Sequence, residues 1–388
     1  MISFDNTEVA FKHKTNSQLK KAYWLFKMVG SPWLVKFGKS FTVLAFNLRL
    51  PIKGLVKKTI FEQFCGGETI EECNHTIALL KKHNIGTILD YSVEGKEDES
   101  DFENTCNEII ATISKAKNNP SIPFSVFKVT GIAQFSILEK ANDGFDKLNT
   151  TEQQKMREIT ERVERICSAA YDAKVPVFID AEESWIQNTI DALAEQMMEK
   201  FNKERAIVFN TIQLYRWDRL AFLKQSHQKA KDGNYFLGLK LVRGAYMEKE
   251  RTRAEEKGYP SPIQKTKEDS DKDYNLALDY CIENIDTISI CAGTHNEKSS
   301  QYLAELLTKK QLYKNNQHVY FAQLLGMSDH ISFNLSNEGY NVAKYVPYGP
   351  VKEVLPYLIR RAEENTSVAG QTSRELSLII KEKNRRSH

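Results

Sequence analysis

Beyond about residue 85 the chain alternates between short apolar, β-branched runs and longer stretches whose apolar residues recur at helical spacing. The short runs fall at residues 86–93, 124–130, 175–180, 206–212, 236–243, 287–292, 318–323 and 342–346. Runs of that length and composition predict strands. Between them lie amphipathic segments rich in Glu, Lys, Ala and Leu, such as 152–173, 185–201, 267–284 and 298–309, which predict helices. Strand alternating with helix implies a parallel sheet with helices outside it. Eight repeats over roughly 280 residues match a closed (βα)₈, TIM-like barrel better than an open sheet. An open doubly wound sheet usually carries a glycine-rich turn after its first strand. Asp90-Tyr91-Ser92-Val93-Glu94-Gly95 has no such GxGxxG pattern.

The pattern changes before residue 85. Apolar residues are dense there (Trp24, Leu25, Phe26, Trp33, Leu34, Phe37, Phe41, Leu44, Phe46) and basic residues flank them. The expected organisation is an N-terminal helical arm over residues 1–84 and a catalytic barrel over 85–388 that ends in one further helix and a charged stub. The arm has two readings, a helical piece packed on the barrel or a basic amphipathic surface that docks on an anionic membrane. Residues 1–60 carry eleven Lys/Arg against Asp5 and Glu8, which suits the second reading. Gly38-Lys39-Ser40 resembles the end of a phosphate-binding loop, but Trp33 stands where that loop needs its first glycine.

Composition narrows the class. A hydrophobic share of 41% with 27% charged residues is that of a globular enzyme, and a net charge of +3 is too small to imply nucleic acid. No run of about 18 uninterrupted apolar residues predicts a spanning helix. The first residues lack the charged and apolar regions of a signal peptide. The six cysteines form no CxxC pair, which suits a reducing compartment with each thiol as a small buried hydrophobe. The first 20 residues contain no arginine, unlike an organellar transit peptide, so the expected location is bacterial cytoplasm, peripheral to the inner membrane, with the mitochondrial matrix and inner membrane as the alternative for a eukaryotic chain.

In a (βα)₈ barrel the catalytic groups project from the C-terminal ends of strands. Ionisable and polar residues at those positions are Lys128, Asp180, Gln213, Lys240, Arg243, Thr294, His295, Asn296, Gln323 and Tyr345. Lys128 and Lys240 lie inside otherwise apolar strands, where a lysine needs a partner because desolvating its charge is costly. Each either forms a structural ion pair with a carboxylate such as Asp180 or belongs to a shared site at the strand ends. After the last strand, Tyr357, Arg360, Arg361 and Glu364 fall at i, i+3, i+4 and i+7, on one helical face, with Leu355, Leu358, Ile359 and Ala362 as an apolar stripe. Such a face is either an exposed Arg360–Glu364 pair or a grip for a carboxylate or phosphate, which guanidinium groups bind bidentately. Gly244 and Gly293 follow their strands directly and suit a turn or a close approach to a ligand. No HExxH or other metal-spaced cluster, and no GxSxG elbow, is present.

Three segments together resemble the proline dehydrogenase family. They are Lys240-Leu241-Val242-Arg243-Gly244-Ala245-Tyr246, Tyr345-Val346-Pro347-Tyr348-Gly349-Pro350 and Tyr357-Leu358-Ile359-Arg360-Arg361-Ala362-Glu363-Glu364-Asn365. The likeness runs from about residue 60 to 380 and includes Ile179-Asp180-Ala181-Glu182-Glu183 and Gln323-Leu324-Leu325-Gly326-Met327. It is similar to the stand-alone rather than the long bifunctional members. The resemblance implies a distorted (βα)₈ barrel with non-covalent FAD at the strand C-termini. It also implies oxidation of L-proline to pyrroline-5-carboxylate, with electrons passed to a membrane quinone.

By motif position, the resemblance implies that Arg360 and Arg361 grip the proline carboxylate, with Lys128 as a third cation and Glu364 holding an arginine. Tyr246, Leu324, Tyr345 and Tyr357 would wall the pyrrolidine ring, and Asp180 would lie beneath it. Lys240 would approach the flavin N5 side, Gln213 would contact the isoalloxazine, and Val242, Gly244, Ala245, Thr294, His295 and Asn296 would line the rest of FAD. A hydroxyproline-oxidising branch has a smaller residue near Tyr345, so the tyrosine favours proline. Lysine-rich residues 260–274 depart from the family and receive no cofactor role. Rival readings are a class I aldolase using Lys240 or Lys128 as a Schiff base, and a carboxylate-binding barrel without turnover.

Overall fold

The computed structural model describes residues 2–31, 33, 53–93, 97–367 and 371–387, with the side chains of 55, 363–367 and 371–373 outside that description. Gly38-Lys39-Ser40 and the apolar arm residues Leu34, Phe37, Phe41, Leu44 and Phe46 therefore lie outside the described residues. Eight parallel strands close into a barrel in sequence order. They are β1 Ile85–Tyr91, β2 Phe124–Lys128, β3 Val177–Asp180, β4 Val208–Gln213, β5 Leu237–Val242, β6 Ile288–Gly293, β7 Val319–Leu324 and β8 Val342–Tyr348. Each falls on a predicted run. The (βα)₈ expectation holds because each apolar run is long enough for a buried parallel strand, and each following amphipathic segment covers it. Several strand ends differ from the sequence reading by one or two residues. β2 stops at Lys128, since Val129–Gly131 turns into a 3₁₀ helix, and β8 continues to Tyr348 in register with Tyr91.

The chain divides into two compact units, Gly95–Ala322 and the combination of Met1–Glu94 with Gln323–His388. In Gly95–Ala322 the N-terminal strand ends are filled by aromatic rings. Phe124 stacks on Phe178 with centroids 4.5 Å apart, Phe209 meets both edge-on, and Tyr320 meets Phe124 edge-on at 4.8 Å. Each such ring buries enough apolar area to contribute about 1.5–3 kcal/mol, beyond any edge-to-face preference. With apolar rings at the N-terminal ends, polar chemistry is left to the C-terminal ends.

The helices between strands are strongly marked in sequence. Asn149 caps Thr150–Ala173 through a capping box with Glu152, and Lys174 ends that helix in the left-handed conformation. Thr15 and Gln18 form a second capping box at the start of Asn16–Val29. Leu19, Ala22, Phe26 and Val29 make the buried face of this helix, and the first three share a cluster with Ala10, Phe11, Leu378 and Ile379. Its other side leaves Trp24 and Met28 about half exposed. The terminal charged stub is not a loose tail, because helix Gln371–Ser387 carries it. Arg386 donates to the carbonyls of Phe11 and Lys14 and to the Asn16 side chain, so it completes the end of the first helix, Thr7–Phe11. All six cysteine thiols are free and buried. No helix among the described residues is long and apolar enough to cross a membrane.

Candidate active site

Within Gly95–Ala322 the polar strand ends converge around Asp180. It closes β3, next to Lys128 at the end of β2, whose Cα is its register partner. Lys240, on β5, is 5% exposed, ion-paired with the Asp180 carboxylate, and lies 5.5 Å above the Phe178 ring. The pair satisfies a lysine that an apolar strand would otherwise strand without compensation. Of the two sequence readings for Lys240, an ion pair and a site residue, the geometry supplies the first and leaves the second open to it.

Beyond the strand ends, β4 contributes Gln213, which is buried and donates from Nε2 to the Glu182 carbonyl at 2.7 Å. Its Oε1 is buried and has no hydrogen-bond partner among the described residues. Sequence reasoning quoted Glu182 within a motif but gave it no part. Its carboxylate accepts from both the backbone N–H (3.0 Å) and the hydroxyl of Thr130. Burial pushes its pKa up to about 7, against the Thr130 hydrogen bonds and the nearby Lys128 charge.

The loop after β5 needs its glycine. Gly244 has φ +143, and a Cβ there would stand 2.4 Å from the Tyr215 ring. Gly244 and Ala245 are exposed, Val242 is half-buried, and Tyr246 is the N-cap of helix Met247–Lys257. Gly293 has a tight neighbour too, with Val242 Cγ1 3.1 Å from a Cβ. Thr294 is buried, and its hydroxyl accepts from Arg243 Nη1 at 2.7 Å. Asn296 caps helix Glu297–Lys309 through Ser299 N–H, so one of its polar atoms is engaged structurally. His295 is half-buried. Arg243, a candidate by position alone, is the hub of this corner. It contacts Asp271 at 2.6 Å and Ser299 Oγ at 3.0 Å, with its guanidinium 4.5 Å over the Tyr274 ring. Burial raises the Asp271 pKa, but Lys267 and Arg243 outweigh it and hold the carboxyl below its usual range.

The other unit carries the motif helix Leu355–Ser367. Tyr357 is 5% exposed and belongs to an apolar cluster with Phe64, Met327, Val354 and Leu358, against which Leu324 packs. Arg361 is 7% exposed, with its guanidinium 5.2 Å from the Tyr357 ring centroid. The polar face drawn from spacing is thus partly an inward face, because Tyr357 lies in the same cluster as Leu358, one step of about 100° around the helix. Arg360 is half-buried, and the Glu364 side chain lies outside the described residues. Tyr345 on β8 is 7% exposed, pairs in register with Ile88, and accepts a backbone hydrogen bond from Leu325 at 2.8 Å.

A lysine that the sequence reading passed over lies beside it. Lys344 is fully buried, 3.0 Å from Asp329, and donates to the carbonyls of Met327 at 2.6 Å and Leu324 at 3.3 Å. Its signal was available, since Val342-Ala343-Lys344-Tyr345-Val346 is as apolar around its lysine as the β5 run.

The model of the family described as proline dehydrogenase matches residues 73–374. The chain belongs to the proline dehydrogenase family. Its proline dehydrogenase relatives include the mitochondrial proline dehydrogenase 1 of Dictyostelium discoideum, 33% identical over 98% of this chain and 74% of that protein. The carbapenem antibiotics biosynthesis protein CarD of Pectobacterium carotovorum subsp. carotovorum is 35% identical over 83% of each chain. A hydroxyproline dehydrogenase of Xenopus laevis is 29% identical over 99% of this chain and 90% of that one. Among solved structures, proline utilization A from Bdellovibrio bacteriovorus, inactivated by N-propargylglycine, superposes with a TM-score of 0.73 at 20% identity. That likeness covers 93% of this chain but 38% of the larger protein, and it concerns the barrel fold. As a proline dehydrogenase family member the chain is an oxidoreductase, and the class I aldolase reading of its strand lysines falls away.

Proposed function

We propose that the protein oxidises L-proline to pyrroline-5-carboxylate with FAD held at the C-terminal strand ends, and that a membrane quinone takes the electrons. The observation that carries this reading is Arg361, a buried guanidinium stacked on Tyr357 in the helix after β8 of a proline dehydrogenase family barrel. Arg360 and Arg361 would bind the substrate carboxylate, since planar guanidinium groups meet a carboxylate bidentately. Lys128 would add positive charge for the same group, and Glu364 would hold an arginine in place. Tyr345, Tyr357, Leu324 and Tyr246 would enclose the ring and exclude water.

The residues present fit a flavin. Gln213 Oε1 is a buried acceptor with no protein donor among the described residues, which suits a ring N–H. The exposed backbone of Gly244 and Ala245 leaves room for close approach, and Val242, Thr294, His295 and Asn296 supply small and polar lining. Bound FAD would supply the two-electron acceptor, at its N5, for the hydride of proline C5. The chain's own contribution is positioning and electrostatics. Lys240, fixed by Asp180, would place positive charge where the accepted electrons accumulate, and the two arginines would orient the ring.

Hydroxyproline is the second reading, supported by the Xenopus laevis relative. Tyr345 favours proline, because its ring takes the space an added hydroxyl needs. Replacing Arg361 with Met should raise the proline KM about 10- to 100-fold while FAD stays bound, the worth of a lost charge-assisted hydrogen bond. An unchanged KM would refute the carboxylate role.

Docking to an anionic membrane gives the quinone a route, and exposed Trp24 and Met28 beside Lys20, Lys21 and Lys27 suit it. Co-sedimentation with anionic liposomes should fall in a Trp24→Ser/Met28→Ser variant, and equal sedimentation would remove this surface from the account.

A further inference from the structure

Within Gly95–Ala322 a continuous line of buried polar groups runs from helix Arg219–Asp232 to the end of β4. Arg219, 1% exposed, places Nη1 2.8 Å from Asp191 Oδ2 and Nη2 2.9 Å from Oδ1. Asp191 also accepts from Asn210 Nδ2 at 2.9 Å and from Gln187 Nε2 at 3.0 Å. An ionised carboxylate accepts only, so Gln187 must turn its NH₂ toward Asp191 and its oxygen away. That oxygen receives the Glu182 backbone N–H at 2.8 Å. The Glu182 carboxylate is clamped to the N–H and hydroxyl of Thr130. Glu182 is thereby held at its N–H and its side chain, and its carbonyl accepts Gln213 Nε2 at 2.7 Å. A carbonyl too can only accept, which leaves Gln213 Oε1 facing away, buried and without a partner among the described residues.

We propose that this line is a positioning device. Gln187 and Glu182, neither of which touches the ligand, fix the Gln213 amide so that its oxygen is a preset acceptor for an N–H of the flavin ring. The inference rests on the FAD reading above and assigns work to residues that reading does not use. Preset orientation matters because a freely rotating amide would present its NH₂ half the time and would lose side-chain entropy on binding. The line begins with a group that can only donate, followed by one that can only accept. Gln187 cannot flip without mismatching both Asp191 and the Glu182 N–H, and Gln213 cannot flip without setting its oxygen against the Glu182 carbonyl.

The test is a double-mutant cycle on FAD affinity, with the deflavinated full-length chain titrated with FAD and followed by flavin fluorescence. Gln213→Leu should weaken FAD binding about five- to tenfold, as loss of one hydrogen bond predicts. Gln187→Met should weaken it to a similar degree, and the double variant should bind FAD no more weakly than Gln213→Leu alone. That non-additivity is what a merely structural Gln187 would not give. Unchanged affinity in Gln187→Met, or additive losses in the double variant, would overturn the proposal. If Gln187→Met does not fold, Thr130→Val removes only one hydroxyl from the clamp and should show the same non-additivity with Gln213→Leu. A wild-type chain that binds no FAD defeats the cofactor reading itself. FAD binding with additive variants defeats only the positioning device.

Discussion

Two lysines buried inside strands, Lys240 of β5 and Lys344 of β8, meet different surroundings. Lys344 is completely buried, and its donors go to Asp329 and the carbonyls of Met327 and Leu324. Asp329 is shared further, with Lys14 and His13 each 3.4 Å away, and His13 lies flat on Phe333 with centroids 4.0 Å apart. Burial raises the Asp329 pKa, but Lys344, Lys14 and His13 overcome it and hold the carboxyl well below its usual range. This cluster fastens the N-terminal segment to the β7–β8 region. Lys240 instead pairs with the Asp180 carboxylate at the C-terminal end of β3, and the neighbouring β4 ends in Gln213, whose Oε1 has no hydrogen-bond partner among the described residues. Both lysines have a carboxylate partner, but Lys344 also holds two backbone carbonyls and so belongs to the scaffold, whereas Lys240 stands as a candidate for chemistry. The comparison can be broken by exchanging the outcomes of mutation.

The largest effect belongs to Lys344→Met. It leaves Asp329 buried with weaker compensation, so chemical denaturation should show a loss of about 3–5 kcal/mol. The kcat of the molecules that remain folded should change little. Lys240→Met should do the reverse, lowering kcat on the order of 10²-fold as removal of a preorganised charge does, with the smaller stability loss. If Lys240→Met proves the more unfolding and the less inactivating of the two, the division of roles is wrong.

A subtler comparison uses pH, because one buried group in each region is shifted and the shifts have opposite consequences. Burial raises Glu182 from 4.5 to about 7. Its folded state therefore holds the proton more tightly, so its contribution is present below pH 4.5 and lost as pH rises through 7. Burial lowers His13 from 6.5 to about 4, against its hydrogen bond to Asp329. Its contribution is complete above pH 6.5 and is lost as pH falls toward 4. Each contribution is worth at most ~3.5 kcal/mol by linkage. Stability curves of Glu182→Gln should flatten between pH 4.5 and 7 relative to wild type on the alkaline-losing side, and those of His13→Phe on the acid-losing side. Parallel curves for wild type and variant would remove that group from the account.

Much of this was readable in the chain. All eight strands announce themselves as apolar β-branched runs, and Lys240 and Asp180 were marked by their place at strand ends. What escaped depends on pairing between residues far apart in sequence. Gln187 and Asp191 are one helical turn apart, yet their meaning comes from Arg219 and Glu182, which only folding brings to them. Lys344 carried the same signal as Lys240, a lysine in an apolar run, but its role depends on Asp329 and two carbonyls that folding brings to it. Asn296 was legible as a candidate ligand donor, but its capping role appears only once helix Glu297–Lys309 is in place. Arg360-Arg361 beside Tyr357 was legible as a candidate carboxylate grip, but not that Tyr357 would itself enter the apolar cluster.

The central claim is oxidation of proline by a bound flavin. The direct measurement is the visible flavin absorbance of the purified full-length protein, mixed without oxygen first with L-proline and separately with trans-4-hydroxy-L-proline. The account predicts a yellow protein bleached by proline, and more slowly by hydroxyproline because of Tyr345. A colourless protein, or a yellow one that proline leaves unbleached, would contradict it.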